Sequence, residues 1–251
     1  MPRFRATLAY DGSAYRGFQR QAGATPTIQA ALEEALQRLN GRPVTVIGAG
    51  RTDAGVHASG QVIAFDVDWR HEPDALLRAL NAQLPTDIAL QTIAVAPPGF
   101  HPRFSARRRT YVYRFYRRRI RQPLWDRYAW QIVVPLDGAA MQAAAAMLIG
   151  EHDFATFGQP PGEDDPDVVG HTRRQVMRSE LDWADGALSS YTITANAFLQ
   201  RMVRSIVGTL VEVGRGAMSL EAFAAALAAA DRSRAGPTAP PHGLTLVSVE
   251  Y

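Results

Sequence analysis

The sequence predicts a mixed α/β (α+β) protein made of two halves, each with a largely antiparallel sheet, and with a central cleft between them. Residues 1–100 show strand and helix patterns in the order β-α-β-β-α-β, the order of a ferredoxin-like unit. The Pro97-Pro98-Gly99 stretch then marks a boundary. Because residues 101–251 again mix strands with helices, we expect a second ferredoxin-like half.

The first half carries clear local signals. Apolar alternation over 4–10 predicts a strand. Thr27 is a predicted N-cap for a helix over 28–40. Pro73 opens a second helix, and a strand over 88–96 closes the half.

The second half begins with a strand whose aromatic face is formed by Tyr111, Tyr113 and Phe115. We expect Tyr113 and Phe115 to pack in the core. An acidic stretch at 163–167 is predicted to be an exposed loop without chemistry. The other predicted elements are a helix capped by Asp137 and ending at Gly150, a hairpin of strands 176–183 and 188–195, a helix at 198–213, a helix capped by Ser219, and a last strand at 244–249.

The composition is that of an ordinary globular protein. Apolar residues make up 47% and charged residues 20% of the 251 residues, which excludes a disordered chain. The absence of cysteine excludes disulfides and thiolate metal sites. No apolar run reaches membrane-spanning length and no signal peptide opens the sequence, so we expect a cytoplasmic protein without a membrane segment.

Basic residues cluster in one stretch, here called the basic block. All 27 basic residues are arginine, and nine of them lie between His101 and Trp125 with no acidic residue, although the net charge of the chain is only +3. The nine are Arg103, Arg107, Arg108, Arg109, Arg114, Arg117, Arg118, Arg119 and Arg121. Such a block is the electrostatic footprint expected for a nucleic-acid partner. The alternative is a solvated basic strand and turn.

A glycine-rich stretch at 48–62, here called the Asp53 loop, is the strongest candidate for chemistry. Apolar alternation on both sides predicts a loop between two strands. It holds a carboxylate, a guanidinium, a hydroxyl and an imidazole: Asp53, Arg51, Thr52 and His57. Because a nearby cation favours the ionised carboxylate, Asp53 is a candidate nucleophile or base. The alternative is an aspartate that caps its own loop, with Arg51 as a surface partner.

The string Gly50-Arg51-Thr52-Asp53-Ala54-Gly55-Val56-His57 resembles, without a gap, the active-site loop of the tRNA pseudouridine synthase A family. The resemblance extends over nearly the whole chain. Its other carriers are Tyr10-Asp11-Gly12, Gly17-Phe18-Gln19-Arg20-Gln21, Phe104-Ser105-Ala106, Arg109-Thr110-Tyr111-Val112-Tyr113, Asn196-Ala197-Phe198, Met202-Val203-Arg204 and Ala235-Gly236-Pro237-Thr238-Ala239-Pro240. Phe18 stands where the family usually has tryptophan, and we expect it to serve as an aromatic wall.

The resemblance implies the pseudouridine synthase fold and the isomerisation of uridine to pseudouridine in the anticodon stem-loop of tRNA. The enzymes it resembles act at tRNA positions 38, 39 and 40. It further implies a cytoplasmic homodimer that needs no cofactor and no metal. By position, Asp53 is the catalytic nucleophile, Arg204 is the partner that holds Asp53, and Tyr111 is the ring against the target uracil.

The remaining candidate residues have supporting roles. Arg51 is grouped with the catalytic residues because it positions the RNA or the loop; arginine does not deprotonate in proteins. Thr52 and His57 are candidate substrate contacts, with a structural role as the alternative for His57. Arg107, Arg108 and Arg109 are candidate phosphate contacts.

The chemistry fits these residue types. The reaction breaks the N1–C1′ bond, turns the uracil over and rejoins it through C5, and it needs one ionised carboxylate. Whether that carboxylate attacks C1′, adds at C6 or abstracts a proton from the sugar stays open. The target base must also leave its stack, which aromatic and phosphate contacts offset. Two rival classes are a non-catalytic RNA-binding protein with a ferredoxin-like fold, and a sugar-active hydrolase with Asp11 as the second acid that such enzymes require.

Overall fold

The chain divides into two units in the computed structural model, which describes residues 1–159, 172–184 and 186–251. The first unit comprises Met1–Arg107 and Thr245–Tyr251, and the second comprises Arg108–Leu244. The sequence places the division after residue 100 and assigns everything beyond it to the second half. The end of the chain differs from that expectation because the last strand pairs within the first unit.

The elements of the described residues alternate between strands and helices. The strands are β1 (Arg3–Tyr10), β2 (Ile47–Gly48), β3 (His57–Asp66), β4 (Ile88–Val95), β5 (Arg108–Arg117), β6 (Trp130–Ile132), β7 (Gly150–Asp153), β8 (Arg173–Asp182), β9 (Leu188–Ala195) and β10 (Leu244–Glu250). The helices are α1 (Ile28–Asn40), α2 (Pro73–Asn81), α3 (Pro123–Asp126), α4 (Gly138–Ala146), α5 (Met202–Gly214) and α6 (Leu220–Ala229).

The sheet of the first unit confirms the predicted β-α-β-β-α-β order. Strand β1 pairs antiparallel with both β4 and β3, and β2 pairs antiparallel with β3. Strand β10 runs parallel to β3 at its start, where Thr245 lies opposite His57. Helix α1 begins as predicted, since the Thr27 hydroxyl accepts a hydrogen bond from the amide of Ala30.

The strands around the Asp53 loop differ from the prediction. The strand before the loop is only the two residues of β2, and β3 begins at His57 rather than after Val62. Eight residues, 49–56, are therefore the loop proper. The reason is the pairing of β3 with β1, which reaches back to Ala58 opposite Tyr10. This pairing makes a strand of a glycine-containing segment whose local sequence predicts a loop.

The second unit has a mostly antiparallel sheet in the order β6-β5-β9-β8-β7, in which only β6 and β5 run parallel. The predicted β8–β9 hairpin is confirmed. Helix α4 packs against β8 and α5, and α6 packs against α4. Tyr113 and Phe115 are buried, which confirms their predicted place in the core.

The helix caps of this unit are confirmed, and two helix ends are corrected. Asp137 and Ser219 each accept a hydrogen bond from the amide three residues later. Helix α4 ends before Gly150, which instead begins β7. Helix α5 begins four residues later than predicted because Arg201, its N-cap, adopts a left-handed conformation with φ 62°.

The predicted acidic loop at 163–167 lies outside the described residues. Within the described ranges, every helix is too short or too polar to cross a membrane.

Candidate active site

The Asp53 loop connects β2 to β3 in the first unit. Thr52 is buried, Arg51 is exposed and Asp53 is half-buried. The amide of Val56 donates to the Asp53 carbonyl oxygen over 3.1 Å, so the chain turns tightly just after the carboxylate. Asp53 is thus presented at a turn rather than within a strand.

Thr52 anchors this loop to the neighbouring chain. Its hydroxyl lies 2.8 Å from the hydroxyl of Tyr10 at the end of β1. Its carbonyl oxygen accepts a hydrogen bond of 3.0 Å from the amide of Phe18. Thr52, the residue before Asp53, is therefore held by both its side chain and its backbone. These contacts anchor the loop.

The segment around Gly17 crosses the loop at very short range. Gly17 has φ 102°, a conformation that favours glycine. A Cβ at this position would lie only 2.8 Å from the Thr52 carbonyl oxygen. The amide of Gly55 also donates to the Tyr15 carbonyl oxygen over 3.3 Å. The close crossing explains why glycine is required at this position of the Gly17-Phe18 motif.

Phe18 packs in the core, so the expectation that it forms an aromatic wall for a substrate is corrected. Its relative exposure is 3%, and its ring centroid lies 6.5 Å from that of Tyr10. The ring also lies against Gly48. An apolar ring beside an anchoring segment gains more from burial than from exposure.

His57 ties the Tyr10-Asp11-Gly12 turn to the start of β3. Its ring is buried, and its Nδ1 accepts a hydrogen bond of 3.1 Å from the amide of Gly12. Asp11 caps its own turn, since its carboxylate accepts from the amide and the hydroxyl of Ser13. This geometry favours the structural alternative for His57 and places Asp11 as a turn residue rather than a second acid.

Tyr111 lies on β5 in the second unit and is 8% exposed. Its ring meets that of Phe198 edge to face, with centroids 5.0 Å apart and an interplanar angle of 85°. Phe198 belongs to the segment 196–198 that follows β9, here called the Asn196 segment. The contact fixes the plane of the Tyr111 ring.

Arg109, one of the candidate phosphate contacts, is buried against the Asn196 segment. It is 8% exposed, and its Nη1 donates to the Asn196 carbonyl oxygen over 2.8 Å. Side chains two residues apart on a strand lie on the same face, so Arg109 is on the buried face of β5 together with Tyr111. Arg108 points the other way and is exposed, as is Arg107 at the end of the first unit.

The basic block is mostly on the surface. Arg118, Arg119 and Arg121 are exposed, like Arg107 and Arg108. Arg118 donates from Nε to the Gly186 carbonyl oxygen over 2.7 Å and lies over the ring of Trp125. The block therefore combines a solvated basic surface with one buried member, Arg109.

Arg204 lies in the first turn of α5 and is held by the segment 236–240, here called the C-terminal loop. Its Nε donates to the Ala239 carbonyl oxygen over 2.8 Å, and the Ala239 amide donates back to the Arg204 carbonyl oxygen over 3.0 Å. The bond from Nε restrains the orientation of the planar guanidinium, and the backbone bond keeps the loop beside the helix.

The C-terminal loop is in turn pressed against α5 and β5. The Gly236 amide donates to the Thr209 hydroxyl over 3.0 Å, and Tyr113 donates to the Pro240 carbonyl oxygen over 2.8 Å. A Cβ on Gly208 would overlap the Pro237 carbonyl oxygen. Helix and loop can therefore meet this closely only with glycine at 208.

Arg174 is a buried charged residue that the sequence reasoning missed. It lies on β8 and is 6% exposed. Along β8, Arg173 and Gln175 are exposed, whereas Arg174 and Val176 are buried. A period-two reading of this strand would have placed Arg174 on the inward face.

The sequence candidates thus divide between the two units. Arg51, Thr52, Asp53 and His57 come together in the first unit, which also contains Arg107. Arg108, Arg109, Tyr111 and Arg204 belong to the second unit. Within it, the Asn196 segment contacts both Arg109 and Tyr111, and the C-terminal loop holds Arg204.

Comparison with known proteins points to one family. A family model described as "tRNA pseudouridine synthase" matches residues 6–105 and 144–251. A protein named tRNA pseudouridine synthase A from Moorella thermoacetica is 46% identical over 100% of both chains. Proteins of the same name from Myxococcus xanthus and Maricaulis maris are 43% and 44% identical, covering 100% of this chain and 92% and 98% of theirs.

The two blocks of the match include the Asp53 loop, the Asn196 segment, Arg204 and the C-terminal loop. Tyr111 and Arg109 lie in the segment 106–143, outside both blocks. With most of the chain matched by the model, and relatives above 40% identity along its whole length, the chain belongs to the tRNA pseudouridine synthase family.

Proposed function

We propose that the protein converts uridine to pseudouridine in the anticodon arm of tRNA, with Asp53 as the catalytic carboxylate. Its family and the names of its relatives make it an isomerase that acts on tRNA. The observation that carries the role of Asp53 is its loop. The Gly-Arg-Thr-Asp string leads into a tight turn over 53–56, and Thr52, the residue before Asp53, is anchored by Tyr10 and Phe18.

This anchoring suits a group that must act on one carbon of a flipped nucleotide. Preorganised groups contribute to rate only when the reacting atoms are held at near-contact distance. Thr52 is buried and makes two hydrogen bonds, which restrict the conformation of the loop before Asp53. The turn to Val56 restricts it after Asp53. The carboxylate can then meet the extruded uridine without a large ordering cost.

Tyr111 and Arg204 have the roles that the family resemblance assigns. We propose that the Tyr111 ring contacts the target uracil, which is supported by its fixed plane against Phe198. We propose that Arg204 partners the carboxylate of Asp53. With Nε committed to Ala239, its Nη1 and Nη2 are the pair suited to a bidentate carboxylate.

The first experiment measures tritium release from tRNA that carries 5-tritiated uridine. Pseudouridine formation exchanges the C5 hydrogen, so release reports the chemistry directly. We expect the wild type to release tritium, and Asp53→Asn to release it at least about 100-fold more slowly while binding tRNA with similar affinity. Asp68→Asn is the matched control, because it removes the same charge from an exposed position of the first unit.

The rival hypothesis, a non-catalytic RNA-binding protein, predicts a different outcome for the same samples. Tight binding by both proteins, with no release from the wild type, would establish a binding protein instead of an isomerase. Full release by Asp53→Asn would remove Asp53 from the mechanism while leaving the isomerase activity in place.

The exposed part of the basic block is proposed to contact the RNA backbone. Arg107 and Arg108 are the candidates, and their exposure suits phosphate contacts that strengthen binding without reading sequence. Arg51, also exposed, is proposed to position the RNA beside Asp53.

We propose that the protein works as a homodimer in the cytoplasm, as the resemblance implies. Large apolar side chains are exposed at Ile120, Leu124 and Val133, with relative exposures of 78%, 91% and 59%. Where such side chains form a contiguous apolar patch, the patch marks an interface between protein chains. Sedimentation equilibrium tests the proposal: a dimer has twice the 27.4 kDa mass of one chain, and a monomer at all concentrations refutes it.

A further inference from the structure

Two buried arginines, Arg109 and Arg174, lie at one end of the sheet of the second unit. Arg109 on β5 is opposite Ala195 on β9, and Ala195 is opposite Val176 on β8. Residues directly opposite each other share a face of the sheet, and so do residues two apart on a strand. Arg174 precedes Val176 by two positions, so both arginines lie on the buried face that also carries Tyr111.

Asn196 connects the strands of the two arginines. Its carbonyl oxygen accepts the hydrogen bond from Arg109 Nη1. Its amide donates to the Gln175 carbonyl oxygen over 3.1 Å, and its Oδ1 accepts from the Gln175 amide over 3.1 Å. The residue next to Arg174 and the guanidinium of Arg109 are thus both tied to Asn196. The next residues of the same segment reach Phe198, which contacts Tyr111.

The two guanidiniums are buried like charges. Arg109 is 8% and Arg174 is 6% exposed, and Arg174 Nη1 donates to the Arg173 carbonyl oxygen over 2.6 Å. Burial, and then the positive charge of Arg109, lower the pKa of the Arg174 guanidinium from its ordinary value. An anion beside such a pair gains two charge-assisted hydrogen-bond donors and relieves the repulsion between them.

We propose that Arg109 and Arg174 form a binding site for one backbone phosphate of the RNA, adjacent to the nucleotide whose base contacts Tyr111. The proposal rests on the proposed function and adds to it Arg174 and the phosphate. Arg109 and Tyr111 lie two residues apart on one face of β5, about 6.6 Å along the strand. A phosphate at the arginine pair and a base at the tyrosine can therefore belong to the same nucleotide or to neighbours.

The test compares Arg174→Met with Arg173→Met in binding to an anticodon stem-loop RNA over a range of salt concentrations. Arg173 is the adjacent residue on the other face of β8, where it pairs with Glu151. We expect Arg174→Met to weaken binding on the order of tenfold and to lower the slope of log affinity against log salt by about 0.7. Arg173→Met should change neither. Equal behaviour of the two variants would overturn the site.

A chemical change in the RNA locates the phosphate. Replacing the phosphates that flank the target uridine, one at a time, by uncharged methylphosphonates should weaken wild-type binding at one position. At that position Arg174→Met should add no further loss, because its partner is already gone. Independent, additive losses at every position would mean that Arg174 holds no phosphate next to the target.

Two controls separate this proposal from other causes. Thermal unfolding of Arg174→Met checks folding, and Arg109→Met provides a second variant, which should show the same loss at the same methylphosphonate. Binding of millimolar inorganic phosphate is measured with the same variants. If Arg174→Met loses affinity for phosphate but not for RNA, the pair is a free-phosphate site and the RNA assignment is overturned.

The proposed function and this inference fail in different ways. An inactive wild type that still shows the Arg174 coupling would refute the isomerase chemistry and keep the phosphate site. An active wild type without the coupling would refute the phosphate site and keep the chemistry.

Discussion

Single side chains position the Asp53 loop, and Thr52 is the clearest case. It is adjacent in sequence to Asp53, yet its hydroxyl faces Tyr10 of β1, 42 residues earlier in the chain. Both residues are buried, and their hydroxyls hydrogen-bond each other. The geometry of the carboxylate therefore depends on a contact made by its neighbour.

Removing both partners of this buried pair should cost less than the sum of removing each. We expect Thr52→Val and Tyr10→Phe each to lower the free energy of unfolding by about 1 kcal/mol, because each removes the buried hydrogen bond between the two side chains. The double variant should lose less than the two single losses added together. Urea unfolding measures all three, with Thr52→Ser as the control that keeps the hydroxyl. Strictly additive losses would show that the two hydroxyls do not depend on each other.

Among the elements, α5 and the C-terminal loop act as one piece that orients Arg204. The helix supplies the side chain, and the loop supplies the carbonyl oxygen that fixes its Nε. The small residue Gly208 lets the two backbones meet, and the Tyr113 hydroxyl holds the far end of the loop. The orientation of the guanidinium therefore follows from packing on a neighbouring loop.

Gly208→Ala tests this contact because two effects oppose each other. Intrinsic helix propensity favours alanine by about 1 kcal/mol. The added Cβ would overlap the Pro237 carbonyl oxygen, and such overpacking costs about 1–3 kcal/mol. We expect net destabilisation in urea unfolding, and slower tritium release as the loop shifts away from Arg204. A more stable and fully active variant would show that the loop has no role in positioning Arg204.

For the whole molecule, pH-dependent stability should reflect His242, next to the C-terminal loop. Burial lowers the pKa of His242 below its ordinary 6.5, although a backbone hydrogen bond with Ala129 and the charge of Asp126 oppose this shift. The folded state thus binds a proton less readily than the unfolded state. Its contribution to stability is complete above about pH 6.5 and is lost as the pH falls through the range below that value.

His242→Gln should make the free energy of unfolding less dependent on pH in that range. Denaturant unfolding at a series of pH values between 7 and 5 measures the slope, and His71→Gln is the control for loss of an exposed histidine. An unchanged slope in His242→Gln would assign the pH dependence to other groups.

The local features of this protein were predictable from its amino-acid sequence alone. The caps at Thr27, Asp137 and Ser219 were predictable because each is a hydrogen bond to an amide three residues away. The βαββαβ order followed from hydrophobic periodicity. The family, and with it the candidate role of Asp53, followed from an ungapped string of eight residues.

Which side chains face inward, and where the strands end, depends instead on contacts between distant parts of the chain. Pairing with β1 begins β3 at His57, and pairing with β3 brings β10 into the first unit. Phe18 packs against Tyr10, and Arg109 and Arg174 share a buried face through β9. Each of these outcomes depends on partners distant in the chain, and neither propensity nor periodicity of the segment itself contains that information.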